Sequence, residues 1–149
     1  MNKIAIGIES TAHTAGVGLI TSEGKILSNQ RALYVPKEGG IHPREAANHH
    51  SEKLPDLFKS ALEEAGLTPA DISLVSYARG PGLGPCLRTG ATAARAFAYS
   101  HDIPLLGVNH CVAHLEIGLL EGAIDPVLLY LSGANTQVIA YAAGRYRVF

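Results

Sequence analysis

Two histidines, His110 and His114, stand four residues apart in Asn109-His-Cys-Val-Ala-His114, and Tyr130-Leu-Ser-Gly-Ala-Asn-Thr-Gln137 follows sixteen residues later. On an α-helix, positions i and i+4 project from one face, so two neutral imidazoles at this spacing can meet one cation. Zinc and iron both accept imidazole nitrogen. The pairing suggests a metal held beside a strand-turn-strand loop, although the spacing also suits a hydrogen-bonded structural pair. A zincin peptidase is disfavoured, because its general base is a Glu directly after the first His and here that position is Cys111. The nearest acid, Glu116, follows the second histidine and falls off the metal-facing side of the helix.

Two further stretches carry anion chemistry. Glu9-Ser-Thr-Ala-His-Thr14 and Ser132-Gly-Ala-Asn-Thr-Gln137 are small, polar turns in which backbone N–H groups can approach a phosphate and hydroxyls add donors. Ser10, Thr11 and His13 are the candidate contacts in the first, with Glu9 a polar or water-orienting group beside them. Ordinary hairpin turns share this composition, so the argument rests on finding two such loops at corresponding places. His42, His49 and His50 read as surface or helix-capping residues, since their spacings do not converge on one point. Arg44, Arg88 and Arg95 read as solvated or ion-paired.

The elements that must position these groups follow from periodicity. Ile4 to Ile8, Val17 to Ile20 and Lys25 to Leu33 are apolar runs of strand length joined by turns, which predicts an antiparallel meander. A helical stripe then runs through Ala46, Ala47, His50, Leu54, Leu57, Phe58, Ala61, Leu62 and Ala65, ended by Gly66. Pro55 inside it predicts a kink or a split. Ile72 to Ala78 is a buried strand, Gly80 to Pro85 a turn into an alanine-rich helix reaching about His101, and Pro104 to Val108 a further strand. Asn109 is placed to cap the helix that carries the histidines.

This βββαβαβα order matches a ribonuclease H-like lobe with a mixed sheet and flanking helices. The pattern then restarts, with strands at Val127 to Leu131, Val138 to Tyr141 and Arg145 to Phe149 separated by a polar turn and a Gly turn. Such self-similarity predicts two facing lobes of the actin-like ATPase type, with residues 1–122 as the first and 123–149 as the truncated start of the second. The chain has 149 residues, 47% of them hydrophobic, enough for one ordinary core. A formal net charge of −1 provides no electrostatic footprint for nucleic acid by itself. Two cysteines without Cys-x-x-Cys spacing suit a reducing cytoplasm, and no apolar run approaches the ~20 residues a membrane span needs.

Taken with Gly39-Gly-Ile-His-Pro-Arg-Glu-Ala-Ala47, His49-His50, Gly80-Pro-Gly-Leu-Gly-Pro85 and Gly107-Val-Asn-His-Cys-Val-Ala-His114, the whole chain resembles the universal tRNA threonylcarbamoyltransferase family. Its details are similar to the archaeal and eukaryotic cytosolic branch, the catalytic subunit of the KEOPS complex. The resemblance implies transfer of a threonylcarbamoyl group from threonylcarbamoyl-adenylate to the exocyclic amine of the adenosine 3′ of the anticodon, in tRNAs reading A-starting codons. It implies one divalent metal, iron or zinc, on His110, His114 and the Tyr130 phenolate. It further implies substrate contacts along Tyr130, Leu131, Ser132, Gly133, Ala134 and Asn135, and partners that include tRNA, KEOPS subunits and a small atypical protein kinase. Two departures stand out. Ala134 replaces the family's usual second Gly, and the family's acidic metal ligand and adenine site have no counterpart before Phe149, which predicts a chain inactive alone. A non-catalytic docking module and a small-molecule kinase lobe of the same superfamily are the competing readings.

Overall fold

Alternating burial in the first strands builds a sheet with one apolar face. In β1 (Ile4–Glu9) Ile6 and Ile8 are buried, and in β2 (Thr14–Thr21) Ala15, Val17 and Leu19 are buried. The antiparallel register sets Ile6 opposite Leu19 and Ile8 opposite Val17, so these side chains share a face. β3 (Ile26–Leu33) pairs antiparallel with β2, while β4 (Leu74–Gly80) pairs parallel with β1 on its other side. With β5 (Leu105–Asn109) the order is β3-β2-β1-β4-β5, a mixed sheet as the element order predicted. The computed structural model describes residues 3–132 and 136–149.

Two helices cover the sheet. α1 (Pro43–Ala65) packs on β2 and β3, and α2 (Gly84–Ser100) packs on β4 and against α1. Leu54, Leu57, Ala61 and Leu62 of α1 and Ala94 and Ala98 of α2 join the sheet residues in one core. Gly66 closes α1 with φ 65°, its neighbour Leu67 donating back to Leu62 O at 2.9 Å, as the sequence predicted. Of the kink or split expected at Pro55, the split does not occur: α1 is one continuous helix. Pro55 and Ser51, whose carbonyl loses its donor, are both exposed, while Leu54 and Leu57 anchor the helix on either side. β4 begins at Leu74 and not Ile72, because Pro69–Asp71 forms a 3-10 turn closed by reciprocal Thr68 and Asp71 bonds.

The chain divides into two compact units, residues 1–108 and 109–149. The second contains α3 (His110–Leu120) and an antiparallel sheet of β6 (Val127–Leu131), β7 (Thr136–Ala142) and β8 (Arg145–Val148). Within this second unit α3 packs on the sheet: Cys111 and Leu115 are buried with Ile139, flanked by Leu128 and Tyr130. Among the described residues no helix is long and apolar enough to cross a membrane.

Candidate functional site

The loop between β1 and β2 is held from four directions. Its own Glu9 carboxylate accepts from the Thr11 N–H at 2.6 Å and from the Thr11 hydroxyl. The buried Ser10 hydroxyl donates to Cys86 O, in the first turn of α2, at 3.0 Å. The next three carbonyls each accept a bond from a different segment. Thr11 O accepts from Leu83 N–H at 2.7 Å, Ala12 O from His50 Nε2 at 2.8 Å, and His13 O from Tyr34 N–H at 2.7 Å. Glycines permit the approach. A Cβ on Gly82 would lie 2.6 Å from Thr11 O, and one on Gly90 would lie 2.0 Å from the Ser10 hydroxyl.

This pinning has an electrostatic consequence. In a trans peptide the C=O of one residue and the N–H of the next lie in one plane and point in opposite directions within it. Tying down the Thr11 and Ala12 carbonyls therefore turns the Ala12 and His13 amides away from Leu83 and His50, a donor pair suited to an anion. Of the loop residues expected to meet phosphate, Ser10 and Thr11 are buried with their hydroxyls engaged inside the protein, and His13 is exposed.

His50 corrects the surface reading of the central histidines. It is 0% exposed, at the one polar position of the buried stripe Ala46, Ala47, His50, Leu54, Leu57, Ala61. That interruption was its sequence signal. A carbonyl oxygen carries no proton, so His50 Nε2 is the donor to Ala12 O, and its Nδ1 then accepts from His49 Nδ1, 3.3 Å away. Burial pushes the His50 pKa down, with the bond to Ala12 opposing, which favours this neutral form. His49 is half-buried, and His42 occupies the N-cap position of α1 without a side-chain capping bond.

The second unit brings the histidine pair and Tyr130 together. Asn109 caps α3 as predicted, its Oδ1 accepting from Cys111 N at 2.9 Å and Val112 N at 3.2 Å. With Cys111 and Leu115 buried on one side of α3, His110 and His114 share another. Their rings lie 4.5 Å apart, and the Tyr130 ring is 5.9 Å from His110 and 6.1 Å from His114. The two Nε2 atoms are 3.2 Å apart. Two nitrogens bound tetrahedrally to one zinc at ~2.0–2.1 Å stand about 3.3 Å from each other, a span this pair matches, and the same separation lets one Nε2–H donate to the other ring. Imidazole and phenol are suitable donors for zinc or iron.

Cys111 is not part of this set; it is buried, and burial pushes its thiol pKa up. Among the described residues no cluster of three or more His, Cys, Asp or Glu forms, so no acidic ligand joins the pair there. Leu131 and Ser132 are exposed beyond Tyr130, and Gly133, Ala134 and Asn135 lie outside the described residues. Glu116 accepts from the Tyr146 hydroxyl at a separate small cleft lined by Leu115, Leu119 and Tyr141.

The sequence model of a family described as TsaD, tRNA N6-adenosine threonylcarbamoyltransferase, matches residues 24–149. A tRNA N6-adenosine threonylcarbamoyltransferase of Methanopyrus kandleri is 59% identical over 98% of this chain, which covers 44% of that protein. A "probable bifunctional tRNA threonylcarbamoyladenosine biosynthesis protein" of Methanothermobacter thermautotrophicus is 55% identical over 98% of the chain, covering 28% of that protein. The chain thus spans less than half the length of these curated relatives. Among solved structures, YeaZ from Pseudomonas aeruginosa superposes with TM-score 0.69 at 16% identity, over 99% of this chain and 64% of that one. The ethanolamine utilization protein EutJ from Carboxydothermus hydrogenoformans superposes at 0.56 and 14% identity, over 97% of this chain and 49% of that one. At such identities the likeness shows the fold alone.

Proposed function

Because the chain belongs to the tRNA N6-adenosine threonylcarbamoyltransferase family, we propose that it forms part of an acyltransferase that builds threonylcarbamoyladenosine in tRNA. In this reading the exocyclic amine of the adenosine 3′ of the anticodon attacks the carbamoyl carbon of threonylcarbamoyl-adenylate. A C–N bond forms, the bond from that carbon to the phosphate oxygen breaks, AMP leaves and the amine loses a proton. Adenylate is a good leaving group, so positioning supplies much of the rate. Residues 1–122 serve as the first lobe in this scheme and 123–149 as the start of the second.

The convergence of His110, His114 and Tyr130 is the observation that carries the proposal. Iron or zinc on these three side chains would polarise the carbamoyl oxygen. The Ala12 and His13 amides would hold the adenylate or ATP phosphate, with Ser10 and Thr11 shaping the loop around them and Glu9 capping it. The strip from Leu131 to Asn135 would contact substrate. The partners are tRNA, the other KEOPS subunits and the small atypical kinase among them, in the cytoplasm. Since relatives are more than twice as long, the 149-residue chain alone should show no turnover.

The test is to purify the full-length protein with its partner subunits, measure bound iron and zinc by elemental mass spectrometry, and quantify threonylcarbamoyladenosine in tRNA. Wild-type protein should carry one metal and modify tRNA; a metal-free protein with full activity would refute the assignment. A docking-module reading is favoured by one feature, the groove of about 860 Å³ between α1 and α2, which includes Arg44, Arg88, Phe58 and Phe97. Activity of the complete complex that is independent of His110 and His114 would support it.

A further inference from the structure

The β1–β2 loop is hydrogen-bonded to α1 through the side chain of His50, the only buried histidine among the described residues. His50 lies one turn after Ala46 and Ala47, which pack with Cys86, the residue whose carbonyl receives the Ser10 hydroxyl. The small alanines bring the α1 backbone close to the start of α2 and to the loop. An imidazole therefore spans the remaining gap to Ala12 O at 2.8 Å. Ala12 O and the His13 N–H belong to one peptide plane, so whatever holds that carbonyl also sets the direction of the next amide.

We propose that His50 is a positioning residue for phosphate: its Nε2–H locks the Ala12–His13 peptide so that the His13 amide faces the anion. This rests on the reading of the loop as a phosphate site. His50 does not touch the anion; it lies behind the loop, with His49 accepted by its second nitrogen. Glu9, His13 and His49 are the titratable groups around it. The arrangement explains why a polar ring interrupts an apolar stripe. A leucine at this position would leave Ala12 O without its donor, and the peptide would be free to turn the His13 amide elsewhere.

The experiment uses the full-length protein and two probes, ATP and adenosine, with binding measured by calorimetry. Gln places its amide nitrogen near the position of His Nε2, whereas Phe fills the space without a donor. His50→Phe should weaken ATP binding about tenfold and leave adenosine binding unchanged, while His50→Gln stays within about twofold of wild type for both. Equal losses for ATP and adenosine, or no loss for ATP, would overturn the proposal. A wild-type protein that binds ATP no better than adenosine would instead remove the phosphate-site premise, and His50 with it. Should His50→Phe fail to fold, the wild-type His50 Nε2–H resonance decides. It should shift on adding ATP and not on adding adenosine, and an unchanged resonance would count against the proposal.

Discussion

The loop after β1 and the histidine face of α3 solve the problem of holding a polar site in opposite ways. In the loop, nearly every polar group already has a protein partner: three successive carbonyls are tied to Leu83, His50 and Tyr34, and the Ser10 hydroxyl to Cys86. Its framework is buried, with Ile6, Ile8, Ala15 and Val17 beneath it. On α3, by contrast, only the helix's other side is anchored, through Cys111, Leu115 and Ile139, while His114 is exposed and the strand residues Val127, Leu129 and Leu131 are 60–67% exposed. A loop that works through amides needs its backbone immobilised in advance, because amides have no rotamers to adjust. A metal-binding pair needs only one fixed helix, because the ion itself orders the imidazoles.

The largest effect is expected at the histidine face of α3. His110→Ala or His114→Ala in the full-length protein should lower metal occupancy and tRNA modification by more than the ~10–100-fold that loss of a supporting outer-shell group costs. Chemical denaturation should show unit 1 unaffected, since neither histidine belongs to its core. Equal activity without either ring would remove the metal centre.

Overpacking tests the loop. Gly90→Ala places a methyl against the buried Ser10 hydroxyl and should destabilise the first unit by ~1–3 kcal/mol, offset in part by helix propensity. Adding Ser10→Ala should recover part of the loss in a double-mutant cycle by urea unfolding; additive losses would show that the contact does not matter.

A smaller effect is expected at the loop on changing pH. The His50 pKa is lowered in the folded protein, so folding favours the neutral ring. The stability this provides is present above the ordinary histidine pKa of ~6.5 and is lost as pH falls from there through the depressed folded value. His50→Gln should flatten that part of the profile in thermal denaturation between about pH 7 and 5, and an unchanged profile would show that the buried ring does not titrate with folding. The least effect is local. Tyr146, bonded to Glu116, should titrate at about 12 in ultraviolet difference spectra, and Glu116→Gln should bring it down towards the usual value near 10 with little change in stability.

The meander, the helices with their caps at Asn109 and Gly66, and the restart at Val127 were all legible in the sequence, because they depend on local periodicity and turn chemistry. The His110–His114 pair was legible for a related reason, whereas Tyr130 was expected only from the family resemblance. Helical spacing puts the two histidines together, and a short connection returns the chain to β6 beside them. Pro55 does not split α1, because its propensity is outweighed by Leu54 and Leu57 packing on either side. The role of His50 was not legible, although its place in the stripe was. Whether a ring in such a stripe meets solvent or a carbonyl depends on what lies 38 residues earlier in the chain. Sequence alone thus determined which elements form and which residues share a face, since those are set within a few residues of each other. Tertiary structure alone decided which carbonyls of the loop are tied down and that α3 joins the second unit. Both rest on contacts between segments distant in the chain, whose partners no local pattern specifies.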